Sequence, residues 1–211
     1  MIFRMEPFED RELNQILSDS MKELNSFYGI NWNQHIPRLV VVPNRKTVEL
    51  WKQGDNHGWI TGWLEGRSVY VVDRTALQTE ANKTAETDQY RALIKHELSH
   101  AFYNIVAKGG RGPVWLQEGV AVYSSGQNSF RTRPAVFHQC LEFYSRGGKD
   151  VYTESGYMIQ LLVDTFGKKT LLNLIGKTKE ANSPEEFDHL FESIYGSKPT
   201  YQYFNNLSKN N

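Results

Sequence analysis

The chain of 211 residues carries 24 Lys plus Arg against 24 Asp plus Glu, so its formal net charge at pH 7 is zero. That balance argues against a nucleic-acid partner or an anionic membrane surface, which normally leave a basic excess, although Arg131 and Arg133 could form a local basic patch. The single cysteine, Cys140, excludes an intramolecular disulfide. The N-terminus "MIFRMEPFED" has no apolar h-region, and no window approaches about 18 consecutive apolar residues. The expectation is a cytoplasmic protein with no membrane association.

In chain order, Leu13, Ile16, Leu17, Met21, Leu24 and Phe27 recur at three- and four-residue steps. They predict an amphipathic helix over 8–27, ended by Gly29. "PRLVVVP" (37–43) reads as a buried strand between prolines. "NRKTVELWKQ" reads as a short helix before the turn residues Gly54, Asp55 and Asn56. Residues 58–73 hold two strand-like runs split by Glu65-Gly66-Arg67, a hairpin pattern.

Tyr90, Leu93, Ile94, Leu98, Ala101, Phe102 and Ile105 predict a helix from about Thr87 to Ala107, stopped by Gly109-Gly110. A second, shorter helix is expected over 115–125. The remainder reads as helices over 133–146, over 153–166 closed by Gly167, and over 168–175 closed by Gly176. Ser183-Pro184-Glu185-Glu186 is a helix start with a cap, a proline at the first position and a capping-box acid. Tyr201, Tyr203 and Phe204 read as packing anchors, but the last ten residues are polar and are expected to fray. Strands early and helices late imply one α+β domain spanning 1–211, with helix and sheet in 1–80 and a helical part in 81–211.

The chemistry concentrates in "KHELSHA", residues 95–101. On a helix, His96 and His100 project from one face a turn apart. Two imidazoles so placed can converge on one divalent ion at roughly 2.0–2.1 Å. Glu97, one residue around the helix, can reach a water at that ion without taking a ligand position. A catalytic zinc usually takes three protein ligands and keeps an open position. Glu118 is the acidic candidate for the third, because it sits between Leu116 and Val120, where an unpartnered charge is costly.

His96-Glu97-Leu98-Ser99-His100 followed by "VWLQEGVAVY" (114–123) resembles the gluzincin zinc peptidases. It is closest to the peptidase MA-like group and to the aminopeptidase N and leukotriene hydrolase group, in which a W-L-x-E-G-x-x-x-Y segment carries the glutamate ligand at a matching distance. Trp115, Leu116, Glu118, Gly119 and Tyr123 match that segment position by position. The resemblance spans roughly 58–176. It implies a zincin-like fold, a small antiparallel or mixed sheet with an active-site helix and a mostly helical C-terminal half. It also implies Zn2+ held by His96, His100 and Glu118, Glu97 as the base, and hydrolysis of a peptide or protein substrate. Tyr152 opens "YTESGYMIQLLVDTFG" where such enzymes place an oxyanion donor, with Tyr157 as the alternative and Ser155 replacing the family glycine.

Other signals are weaker. "GWLEG" (62–66) partly resembles the strand by which aminopeptidases hold a substrate amine, which would give Glu65 that role, but Gly66 departs from the pattern and an exposed turn residue is the plainer reading. The hairpin could instead lend an edge strand to an extended peptide. Arg111 could clamp a carboxylate or simply be solvated. His35, His57, His138 and His189 lack ligand spacing, and Cys140 reads as an inert thiol in an apolar helix. The outer partners of the imidazoles are open: Val122 stands where thermolysin-like enzymes supply an acid, leaving backbone carbonyls. The alternative to a hydrolase is a catalytically silent zinc-binding or protein-interaction domain on the same scaffold. Oligomeric state leaves no trace in the sequence.

Overall fold

A computed structural model describes residues 5–53, 60–80, 86–145, 148 and 151–210; the expected turn residues Gly54, Asp55 and Asn56, and His57, lie outside them. The first helix, α1 (Arg11–Tyr28), begins where the Asp10 carboxylate accepts the Leu13 N–H at 3.0 Å. It ends at Gly29, whose φ of 66° closes the last turn. Strand β1 (Arg38–Val42) and helix α2 (Arg45–Lys52) come next, the latter capped by Asn44. The hairpin is β2 (Gly62–Glu65) and β3 (Ser68–Val72). Its turn is Gly66-Arg67, so Glu65 is the last residue of the strand, paired with Ser68, rather than a turn residue.

The three strands form a mixed sheet in the order β1-β3-β2, with β1 parallel and β2 antiparallel to β3. Central β3 is the buried one: Val69, Val71 and Val72 are fully enclosed. Every strand among the described residues precedes Asp73, and the chain beyond it is helical or irregular. A short helix the sequence pattern did not announce, α3 (Arg74–Glu80), starts where the Asp73 carboxylate accepts from Thr75 and Ala76. Beyond it run α4 (Thr87–Ala107), α5 (Val114–Ser125), α6 (Val151–Phe166), α7 (Lys168–Lys177), α8 (Pro184–Tyr195) and α9 (Tyr201–Asn210). One contiguous apolar core runs from Ile16 to Phe204. Among the described residues no helix is long and apolar enough to cross a membrane.

Three expectations are corrected. Residues 133–145 form no helix. Phe137, Cys140 and Leu141 are buried at helix-like spacing, but the backbone bonds elsewhere. The Glu154 carboxylate accepts the His138 and Gln139 N–H groups at 2.9 Å, and Asn205 bonds both the N–H and the carbonyl of Phe137. The Tyr201 hydroxyl takes the Leu141 N–H. Tertiary partners thus claim the groups that a helix ladder needs. Second, Gly176 does not stop α7, which continues to Lys177 and passes into a 3-10 turn, Thr178–Glu180. Its backbone is not left-handed, so nothing there breaks the helix.

Third, the C-terminal residues are not frayed: they form α9, and Phe204 is fully buried. Its ring lies 6.0 Å from Trp115 and 6.1 Å from Phe191. Tyr201 and Tyr203 also pack against the core, the latter with its ring 6.0 Å from Phe191, so the expected aromatic anchors dock a mostly polar segment together with the hydrogen bonds of Tyr201 and Asn205. Phe204→Ala should therefore lower the unfolding free energy by about 3–5 kcal/mol in chemical denaturation. A loss below about 0.5 kcal/mol, the range of ordinary surface changes, would show that α9 does not depend on that ring.

Candidate metal centre

Helix α4 lies inside the molecule, with Ile94, Leu98 and Phe102 at four-residue steps and fully buried. His96 and Glu97 are buried as well, and His100 is half-buried. The two imidazole rings stand nearly perpendicular with centroids 4.9 Å apart. The loop over 108–113 reverses the chain into α5. No side chain caps that helix; the carbonyls of Phe143 and Tyr144 accept the N–H groups of Trp115 and Val114 instead.

Gly119 lets α5 meet α6. A Cβ there would come within 2.8 Å of both Ile159 Cγ1 and the Ser155 carbonyl oxygen. Between α4 and α5 a buried hydroxyl chain sets the spacing: Ser99 Oγ lies 2.8 Å from Ser124 Oγ and 2.7 Å from the Tyr28 hydroxyl of α1. With the helices so fixed, Glu118 Oε2 sits 3.3 Å from His96 Nε2 and 3.6 Å from His100 Nε2. One ligand atom from each of the three lies within 4.8 Å of the others.

This group could hold a metal ion, and its own chemistry fits one. Two imidazole nitrogens and a carboxylate oxygen are a borderline donor set suited to a divalent transition ion. Apart from these two imidazoles, buried Glu118 Oε2 has no partner among the described residues; the rings pair with it only when protonated, and a cation set between them would serve in their place. Among the described residues no carbonyl or carboxylate accepts from His96 Nδ1, the outer partner expected for that imidazole. Val122, at the position of the missing acid, packs towards Gly156, where an added Cβ would meet its Cγ1 at 2.3 Å.

Charges in this group are strongly coupled. Burial pushes the Glu118 carboxyl up, but His100 and then His96 more than reverse that and hold it well below the usual carboxylate range. For His100 the same balance runs the other way: burial acts downward, yet the charge and hydrogen bond of Glu118, with the charge of Glu97, leave its pKa raised. Glu97 is raised, first by burial and then by Glu118, against the pull of the imidazoles. It is seated against the first residue of β2: a Cβ on Gly62 would lie 2.8 Å from Glu97 Cγ and 3.0 Å from its Oε1.

Tyr152, in the first turn of α6, places its ring centroid 6.2 Å from that of His96. Burial raises its hydroxyl pKa, the charges of Glu118 and Glu97 add to the rise, and Arg131 opposes it. Tyr157, the alternative, is turned to other work, donating to the carbonyls of Asn128 at 2.8 Å and Arg131 at 2.6 Å.

The weaker candidates are drawn into other contacts. Glu65 Oε2 accepts from the indoles of Trp51 at 3.1 Å and Trp63 at 3.0 Å, with Lys52 at 3.6 Å; the indole of Trp51 and then that of Trp63 hold its pKa down. Arg111 lines a separate groove with Asn104, Gln117 and Tyr144. Cys140 is buried in the irregular segment rather than a helix, and burial pushes its thiol up. His138 pairs with Glu154 at 3.2 Å and exposed His189 approaches Glu192 at 3.8 Å. Sequence reasoning missed Gly62, the Tyr28–Ser99–Ser124 chain and buried Glu154. No spacing rule marks any of them, since each matters through a contact with a distant segment.

No family model matches the chain, and no curated protein matches it in sequence. Titration of the protein with Zn2+ as probe should give one bound ion per chain. At a free concentration a hundred times Kd it should stabilise the fold by about 2.7 kcal/mol, reversibly with chelator. Glu118→Ala should remove most of that gain; an unchanged gain would place the ion elsewhere.

Proposed function

We propose that the chain is a zinc-dependent peptidase of the gluzincin type. What supports it most is the buried carboxylate oxygen of Glu118, 3.3 and 3.6 Å from the Nε2 atoms of the two imidazoles and with no other partner among the described residues, with Glu97 buried beside them. His96, His100 and Glu118 would hold zinc, which when bound would supply a Lewis acid and lower the pKa of a water towards about 7.

Glu97, buried beside the three ligands, would accept the proton of the attacking water and then return it to the leaving amine. The Tyr152 hydroxyl, kept protonated by its surroundings, donates to the oxygen that gains charge as the carbonyl is attacked, a contribution of about 2.7–4 kcal/mol in comparable sites. Strand β2 pairs only with β3 among the described residues. Its outer edge offers backbone groups to an extended peptide beginning at Gly62, where Glu97 is seated.

Glu97→Gln should keep its metal and lose at least about 10²-fold in cleavage, read by mass spectrometry on a peptide library. Cleavage that survives would reject the mechanism, and metal without turnover in the wild type would favour a silent metal-binding domain. Gly62→Ala must displace Glu97 and should cut the rate by about 10²-fold, the scale of a 1 Å misplacement, with metal content unchanged. A fully active Gly62→Ala protein would mean that the base is not positioned by β2.

A further inference from the structure

Arg131 closes the 3-10 turn Gln127–Phe130, which packs against α4, α5 and α6, the three helices that bear the metal-centre residues and Tyr152. The turn is stitched to α6. The Asn128 amide donates to the Gly156 carbonyl and to Gln160 Oε1, both at 3.1 Å, while the Tyr157 hydroxyl donates to the carbonyls of Asn128 and of Arg131 itself. The Arg131 backbone is therefore held against the helix that carries Tyr152.

Arg131 is exposed as a residue, although burial of part of its guanidinium draws its pKa down, and among the described residues that guanidinium has no acidic partner and no hydrogen bond. Its neighbours in the basic patch and loop differ: Arg133 donates to Ser208 at 3.2 Å, and Arg111 lines a separate groove. The Arg131 charge reaches Tyr152, whose ring centroid lies 6.2 Å from that of His96. A planar guanidinium is matched to a carboxylate by two parallel hydrogen bonds. It is also the charge needed to admit an anion past Glu97 and Glu118.

We propose that Arg131 recognises a carboxylate of the substrate, so that the site selects peptides bearing one near the scissile bond, either a C-terminal carboxylate or an Asp or Glu side chain. The proposal rests on the peptidase reading for the word substrate, but the carboxylate subsite can be tested without turnover. Zinc-loaded Glu97→Gln protein is titrated with matched short peptides: free acid, C-terminal amide, and amides with internal Glu or Gln. Wild type is assayed for kcat/KM on the same set.

The carboxylate form should bind about tenfold more tightly than its neutral partner, as a charged hydrogen bond allows. The preference should vanish in Arg131→Ala and be partly restored in Arg131→Lys, with metal content and circular dichroism unchanged. Whichever pair carries the preference identifies the α-carboxylate or the side chain as the source. An unchanged preference in Arg131→Ala, an equal loss for acid and amide, or no binding of any peptide overturns the proposal. If wild type cleaves nothing while acid peptides still bind through Arg131, the hydrolase reading fails and the carboxylate site stands.

Discussion

Bringing the Glu118 carboxylate against two imidazoles is the demand that organises this molecule. A carboxylate removed from water is costly unless a partner and good geometry compensate. Here the partners win, since the net pull on Glu118 is towards the ionised form despite its burial. The arrangement survives only if α5 cannot drift relative to α4. Gly119 brings α6 close against α5, the Ser99–Ser124 hydroxyl pair ties α5 to α4, and Tyr28 extends that chain to α1. The N-terminal helix, which carries no recognisable motif, is thereby part of what holds the centre in place.

The same dependence reaches the C-terminus. The irregular segment over 131–145 supplies the carbonyls that cap α5, and it is held by Glu154 from α6 and by Tyr201 and Asn205 from α9. Phe204, packed on Trp115, docks α9 onto the helix that presents Glu118. Residues distant in sequence thus act on one carboxylate through helix ends and turns rather than by touching it.

Two glutamates in one buried space are driven apart. Glu118 faces both imidazoles and is held ionised; Glu97 shares the burial, feels the Glu118 charge, and is pushed the other way. Separation of this kind makes two identical side chains chemically distinct through their environments. Gly62 contributes by leaving the space that the Glu97 side chain fills.

Much of this is legible in the chain. The helix over 87–107, the hairpin, the Ser183 cap and the gathering of His96, His100 and Glu118 follow from local patterns: period, capping chemistry, turn residues, and a charge stranded in an apolar run. Residues 133–145 mislead because Phe137, Cys140 and Leu141 show helical spacing while their backbone partners, Glu154, Asn205 and Tyr201, come from elsewhere. Helix α9 escapes the pattern because a mostly polar segment becomes ordered by a few aromatic anchors whose partners, Trp115 and Phe191, lie on other helices. The distance at which Glu118 meets the imidazoles, the seat of Glu97 on Gly62, the engagement of the Tyr157 hydroxyl by Asn128 and Arg131 and the tie of the Arg131 backbone to α6 were decided only by the tertiary structure. Each is a contact between segments far apart in the chain, and periodicity carries no information about such contacts.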